Sequence, residues 1–105
     1  MNGAESILIE RRRQIEQEGW MPEHDDRHNE GQLAIAAACY AVAGFSDVNV
    51  FRDWNNFKSI HYDAWPWRPK WDKRKKHDRR RCLVIAGALI AAEIDRLDRK
   101  AKVRE

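Results

Sequence analysis

Three stretches of this 105-residue chain carry side chains able to do chemistry. The first is Glu23-His24-Asp25-Asp26-Arg27-His28. Imidazole beside carboxylate could hold a divalent metal or pass protons as acid and base. The same residues would also serve a capping loop, its carboxylates accepting backbone N–H bonds and pairing with arginines. The second is Trp65-Pro66-Trp67-Arg68-Pro69-Lys70-Trp71. There prolines fix the backbone, indoles offer flat faces on which bases stack, and the basic residues suit phosphate. The rings could equally roof a small helical core. The third is Lys73-Arg74-Lys75-Lys76-His77-Asp78-Arg79-Arg80-Arg81, which leads into a helix. A helix dipole disfavours cations at its N-terminus, so an anion, acidic side chain or ligand phosphate, is expected beside Arg79 and Arg80. With Trp20, the candidate ligand-binding set is Trp20, His24, Asp25, Asp26, His28, Trp65, Trp67, Trp71, Arg79 and Arg80. No catalytic residue, metal ligand or cofactor is assigned.

Helices must position these residues. Ile7, Leu8, Arg11 and Ile15 recur at helical spacing, which predicts a first helix over Ala4–Glu18 that Gly19 stops in a left-handed C-cap. Trp20 packs back onto it, and Pro22 prevents continuation, so Glu23–Asn29 is expected to be a loop. A nearly all-apolar run predicts an interior second helix over Glu30–Ala43, stopped by Gly44. Residues 45–77 form a long, ordered, aromatic-rich loop, in which Phe45–Phe51 alternates weakly and gives at most a short unpaired strand. Asp78 caps the last helix, whose inner stripe is expected to be Leu83, Ala86, Ile90, Ile94 and Leu97. Gly87 within it marks a close approach to the alanine-rich second helix. The expected fold class is therefore all-α, a single domain over residues 1–105 built as a compact bundle of three main helices.

Composition narrows the function classes. Hydrophobic residues make up 43% and charged residues 35%, too apolar for disorder and too charged for a membrane protein. No apolar stretch approaches the roughly 20 residues that span a bilayer, and the first residues carry no secretory pattern. Cys39 and Cys82 lie in small-residue helical runs and are expected to be buried free thiols, in keeping with a cytoplasmic setting. The net charge of +3 conceals an acidic first third and a basic stretch between Pro66 and Cys82, an asymmetry that calls for an anionic partner or for the two ends meeting.

Glu18-Gly19-Trp20-Met21-Pro22-Glu23-His24-Asp25-Asp26, Trp65-Pro66-Trp67 and Ala86–Asp98 resemble a family of small uncharacterised phage and prophage proteins. That resemblance implies work inside an infected bacterial cell. Gly19-Trp20, Asp25-Asp26, His28 and Lys75-Lys76-His77-Asp78-Arg79 are also similar, in order, to the ryanodine-receptor repeat, although the tryptophan-to-aspartate gap is shorter and Ile15 stands where an arginine is expected. The repeat is helical and binds adenine nucleotides through tryptophan faces and basic groups. It implies that Trp20, Trp65, Trp67 and Trp71 hold a base and that Arg79 and Arg80 lie near phosphate. The adjacent His24-Asp25 also resembles the metal-binding pair of phosphohydrolases, whose further histidines could come only from His61 and His77. The expected function is non-enzymatic binding of a nucleotide-type ligand, sequestering a host defence signal such as ADP-ribose or a cyclic nucleotide. The alternatives are a protein-interaction module acting on a host complex, a metal-dependent nucleotide hydrolase, and, less favoured, direct nucleic-acid binding. Two nearly all-apolar helices suggest a homo-oligomer.

Overall fold

The computed structural model describes residues 1–43, 50–53, 58–61 and 65–104. Asn2 opens the first helix, α1 (Gly3–Glu16), its Oδ1 accepting the backbone N–H of Glu5 at 2.9 Å. Two residues earlier than the sequence suggested, α1 stops, and Gly19 supplies the left-handed turn (φ 73°) that lets Trp20 N–H donate back to the Gln14 carbonyl at 3.0 Å. The expected loop begins instead with a short helix, α2 (Pro22–Asp26). Proline at the first helical position loses no hydrogen bond there, and Glu23 and Asp25 in the first turn favour the dipole. Gly31 (φ 83°) then turns the chain into α3 (Gln32–Val42). Asp78 caps α4 (Arg79–Arg104) as expected, its Oδ1 accepting from Arg81 N–H at 2.8 Å.

The fold is all-α, with α4 as the spine on which α1, α2 and α3 pack. Leu33, Ala36, Ala37, Tyr40 and Ala43 from α3 and its C-cap meet Cys82, Ile85, Ala86, Leu89 and Ala92 of α4, and Trp20, Trp65 and Trp67 lie partly buried against this core. The expected inner stripe of α4 is corrected: of its five residues only Ala86 is buried, while Leu83, Ile90, Ile94 and Leu97 are exposed. The true inner face, Cys82, Ile85, Ala86, Leu89 and Ala92, is rotated from it because α3 presents alanines, against which its smaller members pack closely. On α1, Ile7, Arg11 and Ile15 of the expected spacing are buried or half-buried, but the most buried positions are polar. Ser6, Glu10, Arg11 and Gln14 are buried and Leu8 is exposed, because α1 meets charged partners on α4 and α2. Gly87 accommodates Ile7 of α1 and not α3; a Cβ there would lie 2.5 Å from Ile7 Cδ1.

Between α3 and α4 the expected loop contains paired structure. β1 (Val50–Asp53) and β2 (Lys58–His61) form an antiparallel pair in which Val50 faces His61 and Asp53 faces Lys58. The unpaired strand expected over Phe45–Phe51 is thus corrected at its end, while Phe45–Asn49 and the helix stop at Gly44 lie outside the described residues. Two single 3-10 turns, Pro69–Trp71 and Arg74–Lys76, carry the chain from the tryptophans to α4. Among the described residues no helix is long and apolar enough to cross a membrane.

Gly87 provides a direct check on this packing. Alanine gains about 1 kcal/mol of helix propensity, but overpacking against Ile7 costs about 1–3 kcal/mol. Gly87→Ala is expected to destabilise the protein by about 1 kcal/mol in urea denaturation. Adding Ile7→Ala should turn the glycine replacement into a gain.

Candidate functional site

A buried ion pair sets up the site. Asp25 is fully buried, and its Oδ2 accepts from Arg11 at 2.8 Å across the α1–α2 contact. A carboxylate in such a place needs a compensating charge, and the aliphatic stem of Arg11 fills the space while its guanidinium reaches Asp25. Asp95 of α4 stands 3.9 Å from Arg11 Nε on the other side. The second oxygen of Asp25 lies 3.0 Å from Nδ1 of His24. An ionised carboxylate only accepts, so the His24 proton sits on Nδ1 and Nε2 becomes the edge left for other contacts.

From His24 a run of rings crosses the molecule. His24 stacks on Trp20 with centroids 5.1 Å apart and planes within 10°. His28 meets His24 edge-on at 4.9 Å and Trp67 at 5.2 Å. Trp67 contacts Trp65 at 5.5 Å, and Trp65 reaches Tyr40 in the core at 5.8 Å. The His28–Trp67 contact is tilted, and the others are edge or stacked geometries that suit ring quadrupoles. Residues from α2, the turn before it and the segment after the hairpin, far apart in sequence, thus form one aromatic surface. Trp20, His24, His28, Trp65 and Trp67 are each partly exposed. Burial lowers the His28 pKa, and the neighbouring His24 adds to this, so His28 stays neutral at neutral pH. Arg74 lies over Trp65 at 5.2 Å and pairs with Asp72. The Arg74 hydrogen bond holds the Asp72 carboxyl below its usual range, against the opposing effect of burial.

The other expected residues are placed elsewhere. Trp71 is 58% exposed and carries Lys70 over its ring, with 5.0 Å from Nζ to the centroid. Asp26 pairs with Arg99 of α4 at 2.8 Å on the surface. Arg79 turns onto the C-terminal carbonyls of α3, donating to Ala41 O and, at 2.9 Å, to Ala43 O. Arg80 donates to Ser6 Oγ at 2.9 Å. Arg79 and Arg80 thus donate to neutral carbonyls and a hydroxyl, while the carboxylate at this helix start, Glu10, accepts from the neighbouring Arg81 at 2.6 Å. Cys39 and Cys82 are buried thiols, and burial raises the Cys82 thiol. Among the described residues no group of three or more His, Cys, Asp or Glu could hold a metal ion.

The sequence marks Arg11 only by its helical spacing, and does not single out Glu10 or Gln14. Glu10, nearly fully buried, accepts from Arg13 at 2.7 and 3.0 Å, from Arg81, and from Gln14 at 3.3 Å. Glu10-x-x-Arg13-Gln14 spacing was the available signal, since it places three polar groups on one helical face. No family model, curated protein or solved structure matches the chain.

Two measurements test this polar seam. Asp25→Ala leaves Arg11 buried without its carboxylate and is expected to cost about 3–5 kcal/mol in urea denaturation. Burial would raise the Glu10 carboxyl, but hydrogen bonds from Arg13 and Arg81 outweigh it, and the folded value is lowered. Its stabilisation is therefore complete above the ordinary glutamate value of about 4.3 and lost as pH falls through the lowered one. Unfolding midpoints should rise with pH across that window, and rise less in Glu10→Gln.

Proposed function

We propose that the protein binds a nucleotide-type ligand without chemical conversion, the base stacking on the ring surface of Trp20, His24, His28, Trp67 and Trp65. One observation carries this reading: five rings from separated segments lie in consecutive contact, each with a part left open to solvent. A core needs rings indoors, whereas stacking on a base needs faces or edges outdoors. Asp25, anchored by Arg11, serves the site from beneath by fixing the His24 ring, whose Nε2 then bonds a base edge or a ribose hydroxyl. Phosphate charge falls to the basic residues on the tryptophan segment, Arg68 and Lys70, both exposed. Arg79 and Arg80, engaged with α3 and Ser6, contribute through their field. The resemblance to phage proteins extends the proposal to sequestration of a host signalling nucleotide, such as ADP-ribose or a cyclic nucleotide.

Native mass spectrometry and thermal shift against adenine mono- and dinucleotides, ADP-ribose and cyclic nucleotides test it. A ligand at 100 times Kd stabilises the fold by about 2.7 kcal/mol, and the bound mass should be that of the intact ligand. Stacking is worth about 1–3 kcal/mol per base, so His24→Ala should weaken binding about tenfold or more while leaving the fold intact. No bound mass and no stabilisation across the panel would sink the proposal, and recovery of a cleaved product would replace it with the hydrolase reading.

A further inference from the structure

The outer face of α4 carries four large apolar side chains in addition to the Ile85 and Leu89 that it buries. Leu83, Ile90, Ile94 and Leu97 are 44%, 49%, 52% and 50% exposed. Scattered exposed aliphatics are ordinary, but these are not scattered. With Gly87 and the exposed Ala101 they follow alternating four- and three-residue steps, 83, 87, 90, 94, 97, 101, which is the seam of a two-helix coiled coil. The seam is close to symmetric about Ile90: leucine stands seven residues away on either side. Flanking charges share that symmetry. Arg80 and Asp98 are about five full turns apart, so they lie on the same flank of the seam, with their midpoint one residue from Ile90.

We infer that α4 pairs with α4 of a second copy of this chain, antiparallel, about a two-fold axis at Ile90. In that arrangement Leu83 of each copy packs on Leu97 of the other, and Ile90 packs on Ile90. Ile94 meets the seam beside Gly87, where Ile7 of α1 lies over the glycine and supplies the apolar surface. Like flanks face each other in an antiparallel pair, so Arg80 of each copy meets Asp98 of the other at both ends. In a parallel pair opposite flanks face each other at matching levels, so Arg80 of one copy would lie about 27 Å along the helix from Asp98 of the other and the two could not meet. A two-fold interface needs a self-complementary patch, and this one is self-complementary in both size and charge.

Sedimentation equilibrium of the full chain from low to high micromolar concentration tests the pairing. A dimer is expected. Ile94→Glu, at a position already half exposed, should leave the helical circular dichroism unchanged and weaken the dimer by about 100-fold or more, because a carboxylate would be buried unpaired. Asp98→Arg should weaken it, and Arg80→Glu added to it should restore it. A monomer at every concentration, or a dimer indifferent to Ile94→Glu, overturns the inference. A dimer that Ile94→Glu dissociates and Asp98→Arg leaves unchanged overturns the antiparallel order.

Discussion

The contact between Arg11 and Asp25 governs more of this molecule than its size suggests. It joins α1 to α2, and through Asp25 it orients His24, the residue from which the ring surface begins. A buried pair of this kind contributes little net stability over an apolar pair, since desolvation of both groups offsets their attraction. What it contributes is specificity: α2 can seat only where the carboxylate finds the guanidinium. The Glu10–Arg13–Arg81 cluster acts likewise one turn earlier, tying α1 to the start of α4. The packing of α1 is therefore polar where that of α3 is apolar, and α4 serves as spine to both.

The helical class, the cap at Asp78, the turn at Gly19 and the burial of both cysteines were legible in the sequence. Each follows from a local rule that tertiary packing did not override. The inner faces were not legible. Periodicity marked Leu83, Ile90, Ile94 and Leu97 as one stripe correctly, but a stripe does not say which way it faces. Helix α4 carries two apolar stripes, and the one that mixes Cys82, Ala86 and Ala92 with Ile85 and Leu89 turned inward because α3 offers alanines of its own. Likewise the apolar residues of α1 outranked Glu10 and Gln14 on hydrophobicity, although the basic start of α4 gave those two their partners. The pairing of Val50–Asp53 with Lys58–His61 was hidden because four-residue strands yield almost no period-two signal.

Of the candidate site, the sequence indicated the residues but not their grouping. The acidic histidine stretch and the tryptophan segment were two separate features some forty residues apart, and the structure joins them through His28 and Trp67. The arginines divided differently: Arg79 and Arg81 meet protein acceptors that no sequence window contains, because those acceptors lie on α3 and α1. The charge asymmetry between the two ends of the chain is in this way partly resolved within one molecule.

Arg79 has a consequence beyond capping. Its guanidinium rests on the last carbonyls of α3, while its backbone belongs to the first turn of α4, so both feet of the excursion between residues 43 and 79 are pinned together. Chain inserted or removed within that excursion leaves the helical frame unstretched, and lengthening costs only the slowly growing entropy of closing a longer loop. The α3–α4 junction is thus held by a contact of its own rather than by the length of chain that links the two helices.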